Sequence, residues 1–126
     1  MAAFYSVMFR DKINRRIEDM FRKKGAADKR QLMEGAYMST LVHGEKTLMA
    51  QFSIARGSVI PLHSHPHEQT GFMVSGQLRF KVENETMDVE SGDSWCIPGD
   101  IEHSADALED SVIIEVFSPV REDYLP

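Results

Sequence analysis

Three of the five histidines fall in one pentapeptide, His63-Ser64-His65-Pro66-His67, and His103 lies well downstream. In an extended chain residues i and i+2 project to the same side, so His63 and His65 present their imidazoles together. Two neutral imidazoles converging on one point make half of a transition-metal site. A lone inward-facing histidine is ordinarily a hydrogen-bonded core residue. A His-x-His pair followed by a ligand-capable side chain, with one more histidine beyond it, is far more selective. His67 shares the parity of the pair, but Pro66 intervenes and turns the chain, so it is read as an outlying residue. His43 sits in a turn and is read as solvated. A second candidate is Glu115, set inside the apolar run Val112-Ile113-Ile114-Glu115-Val116-Phe117. If Ile113 and Phe117 share its face, its carboxyl is buried and its pKa rises, which suits a general acid or base. The competing reading is that this face meets solvent or another subunit.

The elements that must position these groups are mostly strands. In Thr47–Ala55, Leu48, Ala50, Phe52 and Ile54 alternate with Met49, Gln51 and Ser53, a period of two. Further strands are expected at Ala36–Val42, Ser58–Ile60, His63–His65, Thr70–Val74, Gln77–Val82, Thr86–Val89, Ser94–Ile97, His103–Asp106 and Ser111–Phe117. Gly57, Ser75-Gly76, Asn84, Ser91-Gly92-Asp93 and Pro98-Gly99-Asp100 punctuate them. Many short, evenly spaced strands read as an all-β barrel or jelly roll. Before them, Ile13, Ile17, Met20 and Phe21 recur at helical spacing, which predicts a short N-terminal helix over 11–24, with Gly25 as its stop. Residues 1–34 are thus read as an N-terminal extension and 35–126 as the barrel with its C-terminal tail.

With 126 residues the chain is expected to form one domain. Hydrophobic residues at 42% and charged residues at 27% are ordinary for a globular protein. No apolar run approaches the roughly 20 residues of a membrane span, and no secretory signal is read at the N-terminus. The single cysteine, Cys96, excludes an internal disulfide framework and fits a reducing compartment, so a cytoplasmic protein is expected. Residues 1–30 carry nine Lys/Arg against four Asp/Glu, net +5, and the remainder five against sixteen, net −11. The basic stretch mixes signs, lacks aromatic platforms and precedes an acidic body that repels a phosphate backbone, so nucleic acid is not the expected partner. Small barrels with exposed sheet edges often pair, and a homodimer is expected.

The stretch Gly57-(five residues)-His63-Ser64-His65-(three residues)-Gln69-(six residues)-Gly76 resembles the first cupin motif. Gly92-(five residues)-Pro98-Gly99-Asp100-Ile101-Glu102-His103 resembles the second. The resemblance spans about residues 36–120. It implies a double-stranded β-helix barrel with one divalent transition metal near a mouth, bound by His63, His65, Gln69 and His103. The metal could be Ni, Zn, Mn, Fe or Cu. Glu68, next to that ligand, points the other way by strand alternation.

Three departures stand out. The family's usual glutamate is Gln69, so every protein ligand is neutral, which keeps more of the metal's charge and favours Lewis-acid work. Asp100 fills the slot of a customary glycine, with Gly99 shifted one place earlier, and Ala107 replaces a customary asparagine. Within the superfamily the chain is most similar to the pectin-degradation cupins, through His63-Ser64-His65-Pro66-His67-Glu68-Gln69, Gly92-Asp93-Ser94-Trp95, and Glu115, Phe117 and Arg121. That resemblance implies opening of the ring of unsaturated monouronates to linear keto sugars, with Glu115 moving the proton and Arg121 clamping the substrate carboxylate. The alternatives are a metal-dependent dioxygenase with the same shell, and a non-catalytic cupin that binds a small ligand.

Overall fold

The computed structural model describes residues 16–126. Ten strands run in chain order: β1 Lys29–Met33, β2 Ala36–His43, β3 Leu48–Ile54, β4 Val59–His63, β5 Glu68–Ser75, β6 Gln77–Val82, β7 Glu85–Glu90, β8 Ser94–Ile97, β9 His103–Ala107 and β10 Ser111–Ser118. They form a six-stranded sheet in the order β1-β2-β3-β10-β5-β8 and a four-stranded sheet in the order β4-β9-β6-β7, antiparallel throughout. The chain is therefore all-β, with two sheets enclosing one core.

The period of two read from the sequence is the burial pattern of the sheet. Along β3 Leu48, Ala50, Phe52 and Ile54 are buried while Met49, Gln51 and Ser53 are half-buried. Along β10 Ser111, Ile113, Glu115 and Phe117 point inward. They meet Met38, Met73, Leu78, Phe80, Val89 and Ile97 from both sheets. Burial of this kind is the main favourable term in folding.

Two expectations change at the N-terminus. Of the helix expected over 11–24, residues 11–15 lie outside the described part. From Arg16 to Lys24 the only helical element is a 3-10 turn over Ile17–Met20, closed by Asp19 N–H on the Arg16 carbonyl at 3.0 Å. Phe21 then continues in extended conformation. Ile17 and Phe21 are 70% and 68% exposed, so no apolar partner among the described residues supports a longer helix, and short helices are marginal without one. Conversely, β1 falls inside the stretch read as an extension and pairs with β2 at the sheet edge. Its sequence, Lys-Arg-Gln-Leu-Met, is too polar to announce a strand.

Candidate metal centre and cavity

β4 ends at His63 and β9 begins at His103, and the two residues are register partners across the four-stranded sheet. Ser64 and His65 lie beyond the strand, so the pentapeptide is not the continuous strand that its i, i+2 parity presupposes. Its loop still returns His65 to the same point. One ring nitrogen each of His63, His65 and His103 lie within 4.8 Å of one another.

The backbone fixes each ring. His63 Nδ1 lies 2.8 Å from the Pro61 carbonyl, His103 Nδ1 2.8 Å from the Ile101 carbonyl, and His65 Nδ1 3.0 Å from the His67 carbonyl. A carbonyl only accepts, so each Nδ1 carries the proton and donates it, leaving a lone pair on each Nε2. This is the usual way in which a metal-ligating imidazole is oriented. Burial lowers the pKa of both His65 and His103, which keeps the rings neutral.

The loop itself is held by the second motif. The Asp100 N–H donates to the His65 carbonyl at 2.7 Å. Asp100 adopts a left-handed φ of 66°, the conformation for which glycine is customary in its slot. A Cβ on Gly99 would lie 2.3 Å from the Pro66 carbonyl, so the shifted glycine is what lets the two motifs touch. The departure at 99–100 thus keeps the ligand loop seated.

On the opposite wall a side-chain chain runs across three strands. Glu115 on β10, Gly71 on β5 and Trp95 on β8 are successive register partners. A Cβ at Gly71 would lie 2.1 Å from the Trp95 indole, so the glycine lets the indole lie flat and reach the acid. Trp95 Nε1 donates to Glu115 Oε2 at 3.0 Å, and Gln69 Nε2 donates to the same oxygen at 2.6 Å. Glu115 is buried, and burial raises its pKa above the ordinary carboxyl range. Of the two readings of this face, inward or toward solvent or another subunit, the inward one is observed.

Two observations bear on whether a cation fits. His103 Nε2 is buried with no hydrogen-bond partner among the described residues. Gln69 Oε1 lies 2.7 Å from His65 Nε2. The Glu115 contact orients the Gln69 amide, so this pair sets one lone pair against another. A cation held in common resolves it; a protonated imidazole would as well, but burial disfavours that form. The donor set of three imidazoles and one amide oxygen therefore fits a divalent transition metal. His67 lends its carbonyl to His65 and stands outside the cluster. Glu68 is exposed on β5, and His43 closes β2.

Beside the cluster lies a cavity of about 240 Å³, bordered by His63, Gln69, His103, Glu115 and Arg121 and otherwise mainly by apolar side chains such as Phe80 and Ile113. It is smaller than the roughly 300–1,000 Å³ of drug-sized sites, which points to a small molecule. Arg121 comes from the C-terminal tail. Its guanidinium lies 4.0 Å from the Tyr124 ring centroid and 5.2 Å from that of Phe117. Thr40 Oγ1 donates to the Tyr124 carbonyl, and Arg30 Nη2 donates to the Asp123 carbonyl at 2.7 Å, which ties the tail to the sheet edge. The sequence reading assigns no role to Gly71, Trp95 or Tyr124. Trp95 enters it only within the Gly92–Trp95 run, and that run was the available signal.

A family model for the cupin domain matches residues 50–118. Pectin degradation protein KdgF of Dickeya dadantii (strain 3937) is 27% identical over 97 residues, which is 75% of this chain and 88% of that protein. Among solved structures, KdgF from Halomonas sp. is 31% identical with a TM-score of 0.79, over 83% of this chain and 97% of that one. An RmlC-like cupin from Shewanella frigidimarina NCIMB 400 shares the fold, with a TM-score of 0.80 at 23% identity over 83% and 95% of the two chains.

Proposed function

The chain belongs to the cupin family, and we propose that it is a metal-dependent isomerase that opens unsaturated monouronates, or a closely related small sugar acid, to linear keto products. The observation that carries this reading is the meeting of three unlike groups at one small cavity: the histidine cluster, through His63 and His103, the buried acid Glu115 and the guanidinium of Arg121. Similarity to proteins named for pectin degradation supports the substrate class.

His63, His65, Gln69 and His103 would hold a divalent transition metal, which would supply Lewis-acid polarisation of a substrate hydroxyl or carbonyl. Arg121 presents a planar fork matched to the uronate carboxylate. Glu115 carries the proton. Its Oε2 is committed to Trp95 and Gln69, so Oε1 is the oxygen available for exchange. Burial raises its affinity for a proton above that of an ordinary carboxyl, which suits it to giving one up and taking one back. Ring opening of this kind is an isomerisation: a proton leaves one substrate atom and another is returned elsewhere, and no oxidant is consumed. The cavity walls around the acid are mainly apolar.

The protein is further proposed to be a cytoplasmic homodimer. The exposed free Cys96 fits a reducing compartment. Phe72 and Val74, 49% and 45% exposed on the outer face of the larger sheet, fit a contact between copies. No helix of the described residues is long and apolar enough to cross a membrane. The test of the reaction is the loss of the substrate's ultraviolet absorbance above its uncatalysed rate, with and without chelator. No acceleration on pectin- or alginate-derived monouronates, with metal demonstrably bound, overturns the assignment.

A further inference from the structure

Asp123 lies two residues beyond Arg121 and engages it side-on: Arg121 Nε donates to Asp123 Oδ1 at 3.1 Å and Arg121 Nη2 to Asp123 Oδ2 at 3.2 Å. A planar carboxylate thus already occupies the fork that the proposed function gives to the substrate carboxylate. The two partners differ sharply in environment. The Arg121 side chain is 14% exposed and borders the cavity, whereas that of Asp123 is 59% exposed and faces water.

We infer that Asp123 is an internal competitor for the substrate carboxylate at Arg121, and so sets how tightly this cavity takes an anion. The inference rests on the reading of Arg121 as the carboxylate anchor. Arg121 does not need Asp123 for its position, because the Phe117 ring of β10 and the Tyr124 ring both contact the guanidinium, and the tail that carries Arg121 and Tyr124 is tied down by Thr40 and Arg30. The ion pair is half in water, where such pairs are weak. An arriving carboxylate either displaces Asp123 from the Nε–Nη2 edge or approaches the remaining donors against its charge. In both cases Asp123 lowers affinity for an anion without touching the proton chemistry at Glu115. The arrangement holds the guanidinium in a satisfied state and limits retention of a carboxylate product.

The test uses the full metal-loaded chain and D-glucuronate, a saturated monouronate that lacks the ring double bond and so cannot give the linear keto product, with binding measured by calorimetry. Asp123→Asn should bind it up to about fivefold more tightly, the range open to a partly exposed ion pair. Asp123→Glu, which keeps the charge, should stay near the parent protein. With the unsaturated monouronate, Asp123→Asn should lower KM by a similar factor and leave kcat within about twofold. Weaker or unchanged binding by Asp123→Asn, while Arg121→Gln still weakens it, overturns the competition alone and makes Asp123 a positioning or inert residue. Binding that Arg121→Gln leaves unchanged overturns the anchor reading, and the competition falls with it.

Discussion

On the histidine wall of the cavity every imidazole is held by a carbonyl two residues away in sequence, as His63 is by Pro61 and His103 by Ile101. On the facing wall Glu115 is held by Gln69 and Trp95, 46 and 20 residues away. Local bonds preset the tautomer of each ring as soon as the short loop forms. The acid acquires its environment only when three strands are in register. The first wall is thus suited to holding a cation of fixed geometry, and the second to holding a proton whose affinity depends on packing. Gln69 joins them, with its amide oxygen toward His65 and its amide nitrogen on Glu115.

Loss of the first wall should have the largest effect. The double substitution His63→Ala, His65→Ala should abolish stoichiometric metal and all metal-dependent turnover, beyond the roughly 10–100-fold typical of changes outside the ligand shell. Its circular dichroism should remain that of a folded β-protein, as should that of the chelated parent, because the core from Met38 to Phe117 is independent of the cluster. Elemental analysis of purified, folded variant checks the first point; full occupancy contradicts the site.

On the second wall Glu115→Gln should keep metal and fold but lower kcat by about 10²–10⁴-fold, the usual contribution of a general acid–base group. Arg121→Lys keeps the charge but loses the fork, so KM should rise more than kcat falls. Steady-state kinetics at saturating metal separate these outcomes. A Glu115→Gln variant with parental kcat removes the acid from the mechanism.

The two close-approach glycines sharpen the contrast at smaller magnitude. Gly99→Ala drives a Cβ against the Pro66 carbonyl and Gly71→Ala drives one into the Trp95 indole. Each should cost about 1–3 kcal/mol of stability, as overpacking does. Their functional effects should divide: Gly99→Ala weakens metal binding, and Gly71→Ala lowers kcat through Trp95 and Glu115. Denaturant midpoints, metal titration and kinetics on both variants read this directly. Equal effects on metal affinity would show that the walls are not independent.

The smallest effect is on pH dependence in chelated protein, where the two walls carry opposite signs. Burial holds His65 and His103 below 6.5, so the unfolded chain takes up protons first; their contribution to stability is present above pH 6.5 and lost as pH falls through the lowered folded values. Burial holds Glu115 above 4.5, so the folded chain keeps a proton that the unfolded chain has released. That contribution is full below pH 4.5 and lost as pH rises through the raised folded value. Glu115→Gln should therefore remove the fall in stability that begins above pH 4.5 and leave the histidine contribution in place. Urea midpoints across pH 4–9 test this, and a fall above pH 4.5 that survives the substitution is assigned elsewhere.

The same division separates the features legible in local sequence from those that are not. The alternation in Leu48–Ile54 and Ile113–Phe117 announced inward faces, because strand parity is a local property. The His63-x-His65 spacing and His103 announced convergence, and the motif spacings announced the family, because they record short loops between strands of constrained length. Parity gives the face of a residue and not its neighbour. That Glu115 meets Gly71 and, beyond it, Trp95 depends on β10 lying between β3 and β5 with β8 outside them, an order that no local window contains. The strand at Lys29–Met33 was equally hidden, since its pairing with β2 draws on backbone hydrogen bonds and not on side-chain pattern. The same holds for Arg121, whose place at the cavity is fixed by stacking on Phe117 and Tyr124 in the folded tail. These contacts arise only on folding, because they join residues whose closeness is created by sheet order and register.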